Sequence, residues 1–288
     1  MIRFLAQSIR NVRAKLEILK RALPLRIRRE FFRAKIAGIY YLRKRPAKTC
    51  AFILCNSRTG SSLLINYLNS NPCAYFGTEI LSHHDPSGIR RYLISKKSVF
   101  RHIHHSLNYG RRPISGAKIF FIHLQMRRIS LRELESQFPH EKWIVLYREN
   151  ILDQYLSYKI GFRTRQWIRT LSSNVQKLES AQVSLSIRSL LGFQRRILKR
   201  YESALEVPGI RERSLWISYE ELVKNPQELF DEAVFPFLGL ARNQVRTSLI
   251  KQNIWNYSEI ISNYKEVKEF IKHSAFTQSY ARYPGKSA

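Results

Sequence analysis

The sequence is poor in acidic residues, cysteines and long apolar runs, and each shortage excludes a class of protein. Only 21 Asp and Glu oppose 50 Lys and Arg among the 288 residues, so the formal net charge is +29. The three cysteines, Cys50, Cys55 and Cys73, are too few and too clustered for a disulfide framework, and we expect a reduced, cytoplasmic setting. No apolar run approaches the ~20 residues that span a bilayer. The N-terminus lacks the pattern of a secretory signal.

The excess of basic charge predicts an anionic partner without choosing one. Such a field attracts nucleic acid, anionic lipid or phosphorylated small molecules. Residues 1–47 combine many Arg and Lys with apolar residues at helical spacing, and Pro24 divides them into two segments. This basic amphipathic arm could lie on an anionic membrane surface, or it could be a solvated helix packed on the rest of the chain. We expect no nucleic-acid partner, because no recognised binding module is present.

Residues 48–288 contain enough apolar side chains for a core and are predicted to form one domain. Short apolar runs predict buried strands at 50–55, 118–124, 142–147 and 214–218, although a fragment of buried helix would also fit the first. Helical patterns occupy 63–68, 131–138, 184–205, 219–223 and a segment capped by Asn150, whereas 72–91 and 162–167 are expected to be loops. Strands alternating with helices favour an α/β fold with a central, mainly parallel sheet flanked by helices.

The most informative stretch joins the first predicted strand to a helix through a turn of small polar residues. Backbone N–H groups at a helix N-terminus bind anions, and a guanidinium in the same turn reinforces that site. An ordinary strand-to-helix connection has a similar pattern. We interpret the turn as a phosphate or sulfate cradle, formed by Ser57, Arg58, Thr59, Gly60, Ser61 and Ser62.

A second anion site is expected at neighbouring strand ends. Parallel sheets place ligands at the carboxyl ends of their strands, and Arg148 and Tyr219 directly follow two of the predicted strands. Ser157 lies on the helix after Arg148, on a side expected to be exposed or half-exposed. An arginine and a hydroxyl converging on one point suit a second phosphate. A surface ion pair is the alternative for Arg148.

These motifs, in this order, resemble the sulfotransferases that use 3′-phosphoadenosine 5′-phosphosulfate (PAPS). The resemblance implies a P-loop-like sulfotransferase fold in which the cradle holds the 5′-phosphosulfate and Arg148 with Ser157 grips the 3′-phosphate. Many relatives have lysine where this chain has Arg58. A further family segment is matched by residues 219–222, Pro226 and residues 237–240. The resemblance covers residues 50–240 and leaves the basic arm outside.

The bacterial carbohydrate branch, which contains trehalose and nodulation-factor sulfotransferases, looks most similar. Its members place a glutamate soon after the cradle helix, as Glu79 stands here, and its aromatic loop resembles Gln166 and Trp167. The stretch beginning at Lys251 is similar to the tail that closes over the cofactor. The resemblance implies PAPS as co-substrate and a carbohydrate or glycolipid acceptor. Trp167 could stack on a sugar ring or be a buried anchor.

The expected chemistry is in-line transfer of a sulfuryl group to an acceptor hydroxyl, which needs charge stabilisation and a base. Arg58 and the cradle N–H groups are expected to stabilise the growing charge. Glu79 is the first choice for the base. His123, at the end of the predicted 118–124 strand, is the second, and a core-edge histidine is its alternative. Lys118 is either a substrate-side cation or a charge that starts the strand.

Two other functional classes remain open in the sequence. A nucleotide kinase or NTPase would carry Lys directly after the cradle glycine, where this chain has Ser61. A non-catalytic membrane or nucleic-acid binder could act through the basic arm.

We expect no metal site, because His102, His104 and His105 lack companion cysteines or carboxylates. The expected location is cytoplasmic, with peripheral association at the inner face of a membrane through residues 1–47.

Overall fold

The computed structural model describes residue 47 and residues 49–82, 95–108, 112–164, 182–249 and 256–273. The predicted basic arm lies outside the described residues apart from Ala47, and its boundary with the domain stays a prediction. The expected acceptor residues Gln166 and Trp167, and the expected cofactor residue Lys251, also lie outside the described residues.

A five-stranded sheet forms the centre of the described chain. Its strands are β1 (Thr49–Cys55), β2 (Ala74–Glu79), β3 (Ile114–Phe120), β4 (Lys142–Tyr147) and β5 (Ser214–Ser218). They lie in the order β2-β3-β1-β4-β5, and every pair of neighbours is parallel. The predicted α/β class with a parallel sheet is confirmed. Since β1 has a strand on either side, the turn that follows it emerges at the middle of the carboxyl edge.

Helices connect the strands. They are α1 (Ser61–Asn69), α2 (Lys96–Leu107), α3 (Phe121–Met126), α4 (Leu131–Gln137), α5 (Ile151–Thr164), α6 (Ile187–Leu205), α7 (Pro208–Glu212), α8 (Tyr219–Lys224), α9 (Pro226–Leu229), α10 (Phe235–Leu238), α11 (Tyr257–Ile260) and α12 (Tyr264–His273). A π-helical turn, Phe230–Val234, joins α9 to α10. The predicted cap of α5 is confirmed, because Asn150 Oδ1 accepts a hydrogen bond from the Asp153 N–H at 2.9 Å.

The core lies on both faces of the sheet. Successive strand side chains point to opposite faces. On one face, Ala51, Ile53 and Cys55 belong to the cluster that includes Leu64 and Leu68 of α1. On the other, the Phe52 ring lies 4.8 Å from Trp143 and 5.3 Å from Phe138, measured between centroids. Because side chains pack against both faces of the sheet, the central strands have continuous apolar runs.

Besides residues 162–164, which were expected in a loop and belong to α5, two of the predicted elements differ from the structure. Residues 72–91 were expected to be a loop, but they contain β2, an edge strand of mixed composition that pairs only with β3. The strand expected at 118–124 instead ends at Phe120, and α3 begins at the next residue. A short, fully apolar run has no periodicity to separate strand from buried helix, which explains the second error. His123 therefore lies on a helix, and Lys118 lies inside β3.

Close approach between β2 and β3 requires a glycine at Gly116. A Cβ atom there would lie 2.1 Å from Cε1 of Phe76 and 2.6 Å from the carbonyl oxygen of Ala51. The Phe76 ring is buried, so it has no room to turn away. This packing sets the position of the strand that ends at Glu79.

We predict that Gly116→Ala destabilises the fold by about 1–3 kcal/mol, because the added methyl overpacks the core. The free energy of unfolding, measured by urea denaturation, checks this. Gly192→Ala is the matched control. Its added Cβ would lie 3.4 Å from the Arg196 side chain, and alanine is favoured over glycine inside a helix. Equal stability of the two variants would contradict the packing argument.

Candidate active site

The turn between β1 and α1 has the geometry of an anion cradle. Gly60 caps α1 with φ +81°, and Arg58 also has a positive φ, +65°. A left-handed conformation at a residue other than glycine costs about 1 kcal/mol, so the surrounding structure must hold Arg58 in place. The N–H groups of Ser61 and Ser62 open α1 and have no carbonyl four residues back within the helix. They are available to an anion.

The Tyr219 ring leaves room only for glycine at position 60 of the cradle. A Cβ on Gly60 would lie 2.4 Å from Cδ2 of the Tyr219 ring. Tyr219 follows β5 directly, and its ring is also 4.5 Å from the Arg148 guanidinium carbon. The ring therefore lies between the cradle and Arg148. This places the three strand ends singled out in the sequence at one location.

Three hydrogen bonds tie the cradle to the segment that follows β4. Gln154 Nε2 donates to the Ser57 carbonyl at 2.8 Å. Arg58 Nε donates to Ser157 Oγ at 2.8 Å, and Arg148 Nη1 donates to the Arg58 carbonyl at 3.5 Å. We call this set the cradle network. Ser157 is buried, not half-exposed as expected, and it lies against the cradle's own arginine.

Two arginines, Arg58 and Arg148, meet at this location. Burial and, to a smaller extent, the nearby charge of Arg148 lower the pKa of Arg58 to about 10. The Arg148 side chain is only 5 % exposed. This pKa still leaves Arg58 charged near neutral pH, so the fold bears the cost of its desolvation and of its repulsion by Arg148. A bound anion would reduce both the desolvation cost and the repulsion.

Arg148 is also surrounded by carboxylates. Its Nη2 lies 2.8 Å from Asp153 Oδ2, and its Nε lies 3.9 Å from Glu220 Oε1. Glu220 accepts hydrogen bonds from the backbone N–H groups of Glu149 and Asn150, at 2.9 and 3.2 Å. Arg148 is therefore ion-paired, as the alternative proposed, but its guanidinium is buried at the strand ends and does not lie on the surface.

Glu79 and Lys118 form an ion pair between β2 and β3, with 3.2 Å between Oε1 and Nζ. The Lys118 side chain is buried, and that of Glu79 is 37 % exposed. The alternative of a strand-start charge for Lys118 is wrong, because Lys118 is the fifth residue of β3. Burial raises the pKa of the Cys55 thiol to about 12, and both charges of the pair also act on it. The pair is thus within electrostatic reach of the end of β1.

His123 does not end a strand, as was expected, but follows β3 by three residues. It is buried on α3, and its ring centroid is 5.1 Å from that of Phe120. The structure therefore places it against an aromatic side chain of the core edge, while Glu79 is the partly exposed group.

Sequence reasoning missed four residues that shape the site: Asp153, Gln154, Glu220 and Tyr257. Asp153 and Gln154 lie one turn before Ser157 on α5, so the spacing i, i+3 and i+4 was a signal for them. Glu220 adjoins the predicted Tyr219. Tyr257, whose hydroxyl donates to Asp153 Oδ1, has no local signal because it is 104 residues away from its partner.

Two kinds of feature are absent from the described residues. No group of three or more His, Cys, Asp or Glu in the described ranges is arranged to hold a metal ion. In the same residues, no helix is both long and apolar enough to cross a bilayer.

The chain is similar to a known protein in sequence and to a solved structure in fold. The chain is 23 % identical over 243 residues to Nodulation protein H of Rhizobium meliloti, covering 79 % of this chain and 93 % of that protein. A crystal structure of a sulfotransferase from Alicyclobacillus acidocaldarius aligns with 82 % of this chain and 95 % of its own, at 14 % identity and a TM-score of 0.48. No protein-family model matches the chain. The ordered motifs and the relative together support the chain's resemblance to the sulfotransferases.

Proposed function

We propose that this protein transfers a sulfuryl group from PAPS to a hydroxyl of a carbohydrate or glycolipid acceptor. The observation that carries the proposal is the cradle network, which holds Arg58 and Arg148 beside one glycine turn at the ends of β1, β4 and β5. PAPS has phosphate groups at both ends of its ribose, and two cations at adjoining strand ends match such a ligand. The resemblance to the sulfotransferases supports the choice of donor.

The residues of the cradle fit the 5′-phosphosulfate. The N–H groups of Ser61 and Ser62 open α1 and would bind the anion, and the Tyr219 ring fills the space where a Cβ on Gly60 would lie. In this proposal residues 57–62 hold the phosphosulfate, Tyr219 lies beside them, and Arg148 with Ser157 binds the 3′-phosphate. Lys251 is assigned to the same ligand from the resemblance alone.

Transfer proceeds by attack of the acceptor oxygen on sulfur. A bond forms between that oxygen and sulfur, and the bond between sulfur and the bridging oxygen of the 5′-phosphate breaks, so adenosine 3′,5′-bisphosphate leaves with the electron pair. Glu79 takes the hydroxyl proton. Arg58 and the N–H groups of α1 stabilise the charge that grows on the sulfuryl and phosphate oxygens.

Glu79 suits the role of base because it is partly exposed and is paired with buried Lys118. Lys118, Gln166 and Trp167 are proposed to face the acceptor. His123 is kept as the second candidate for the base. A carbohydrate acceptor is in keeping with the relative's role in nodulation, and a glycolipid would suit a basic arm at the inner face of a membrane in a cytoplasmic enzyme.

A nucleotide kinase or NTPase is the rival to be tested by binding. We expect isothermal titration calorimetry to detect adenosine 3′,5′-bisphosphate without metal, and to show weaker binding of ATP with Mg²⁺. The reason is that Ser61 stands where a phosphate-binding lysine would be needed. Tight Mg²⁺–ATP binding with no response to the bisphosphate would overturn the proposed function. A variant that lacks residues 1–47 should keep its affinity for the bisphosphate.

We predict that Arg58→Ala lowers kcat/KM for PAPS by roughly 100-fold or more, the range for one lost oxyanion donor. The assay follows transfer of labelled sulfate to a glycan or lipid extract. Arg211→Ala is the matched control, because its guanidinium is exposed and pairs only at 4.0 Å with Glu212. Turnover of Arg58→Ala at the level of this control would remove Arg58 from the mechanism.

Glu79→Gln is expected to abolish turnover while the affinity for adenosine 3′,5′-bisphosphate changes by less than about twofold, since the base touches the acceptor and not the nucleotide. Single-turnover assays and calorimetry measure the two quantities. Glu133→Gln is the control, because it removes an exposed carboxylate that is also paired with a lysine, Lys96. An active Glu79→Gln enzyme would move the role of base to His123, and His123→Ala would then be the inactive variant.

A further inference from the structure

In the proposed function, the Arg148 guanidinium binds the donor's 3′-phosphate. The Asp153 carboxylate already forms an ion pair with that guanidinium. Asp153 Oδ2 lies 2.8 Å from Arg148 Nη2, and its other oxygen accepts a hydrogen bond from the Tyr257 hydroxyl. Asp153 is on the first turn of α5, four residues before Ser157. A phosphate that approaches Arg148 therefore meets a negative charge already on the same group.

Arg148 does not need Asp153 for its orientation. Its guanidinium stacks on the Tyr219 ring at 4.5 Å, and its Nη1 donates to the Arg58 carbonyl. The ring fixes the plane of the guanidinium and the carbonyl fixes its rotation within that plane. A carboxylate whose sole task was to align the arginine would duplicate these contacts.

The two carboxylates near Arg148 differ in what else they do. Glu220 accepts two backbone hydrogen bonds, from Glu149 and Asn150, and so holds the turn between β4 and α5. The side-chain oxygens of Asp153 bond only Arg148 and Tyr257 among the described residues. Its side chain is also 25 % exposed, so it lies at the rim of the arginine's pocket. Asp153 is therefore the carboxylate that a ligand phosphate would face.

Burial strengthens the competition between Asp153 and a ligand phosphate for Arg148. Interactions between exposed charges are weakened by water and salt, whereas those in partly buried sites are screened much less. A phosphate binds arginine best through two parallel N–H donors. Asp153 already takes Nη2, one of the nitrogens such a pair would use. Like charge next to the ligand adds to the cost.

We propose that Asp153 is an affinity-determining residue for the nucleotide: its carboxylate competes with the 3′-phosphate for Arg148, and Tyr257 holds it in position to do so. This inference rests on the proposed function. The competition weakens the binding of the bisphosphate product and shortens its residence. The cost falls on the 3′-phosphate alone, because Asp153 acts through Arg148 and not through the cradle.

The test is Asp153→Asn, which keeps the shape of the side chain and removes its charge. The amide oxygen can still accept from Arg148, and the amide nitrogen can donate to the Tyr257 oxygen. Calorimetry compares adenosine 3′,5′-bisphosphate with adenosine 5′-monophosphate, which lacks the 3′-phosphate. We expect binding of the bisphosphate to tighten on the order of tenfold, and binding of the monophosphate to change by less than about twofold.

Glu212→Gln is the control for the loss of one negative charge. Glu212 is exposed and precedes β5, at the opposite edge of the sheet from Arg148. Thermal unfolding with and without bisphosphate gives a second readout, in which the ligand-induced rise in Tm should be larger for Asp153→Asn than for the control.

Unchanged or weaker binding of the bisphosphate to Asp153→Asn would overturn the proposal and give Asp153 an orienting role. The proposal would also be overturned if Asp153→Asn bound both nucleotides more tightly by the same factor. The same holds if Glu212→Gln bound the bisphosphate as tightly as Asp153→Asn, because the loss of one negative charge anywhere would then explain the effect. The proposed function fails by a different result. If the unaltered protein itself shows no preference for the bisphosphate over the monophosphate, Arg148 does not bind a 3′-phosphate.

Discussion

The hydrogen bonds between the cradle and the start of α5 are the constraint on which the site depends. Arg58 reaches Ser157, Arg148 reaches the Arg58 carbonyl, and Gln154 reaches the Ser57 carbonyl. Two anion sites that were expected at separate strand ends are thereby one connected network. Any movement of α5 relative to the cradle would change both at once, so the donor's two phosphate groups would be bound by a single rigid unit.

This arrangement is costly without a ligand charge to balance it. Arg58 holds a left-handed backbone conformation and a guanidinium whose pKa is lowered by burial and by Arg148. Local strain and buried like charges persist only where the surrounding fold enforces them, and they concentrate at functional sites. Here the enforcement comes from the parallel sheet, which brings the ends of β1, β4 and β5 to one edge. In the proposed function, the donor's anionic groups would offset this cost at the same place.

The acceptor side has a different construction. Glu79 ends an edge strand, and its partner Lys118 lies inside the neighbouring strand β3. Gly116 lets β2 approach β3 closely, so packing in the core controls where the carboxylate stands. The donor side is thus fixed by hydrogen bonds between loops and a helix, whereas the proposed base is fixed by strand packing. A change in one need not disturb the other, which suits an enzyme that binds its two substrates separately.

The sequence alone predicted β1, β4, β5 and the glycine turn after β1, and it named Arg148, Glu79 and Ser157 as site candidates, because these features depend on local pattern and on family motifs. It did not determine β2 or the helix that carries His123, since a mixed edge strand and a short apolar run lack a decisive period. Only the tertiary structure decided that Arg58 bonds Ser157, that Lys118 pairs with Glu79, and that Asp153 and Tyr257 adjoin Arg148. Those contacts join residues far apart in the chain, and the order of strands across the sheet, which no local pattern encodes, brings them together.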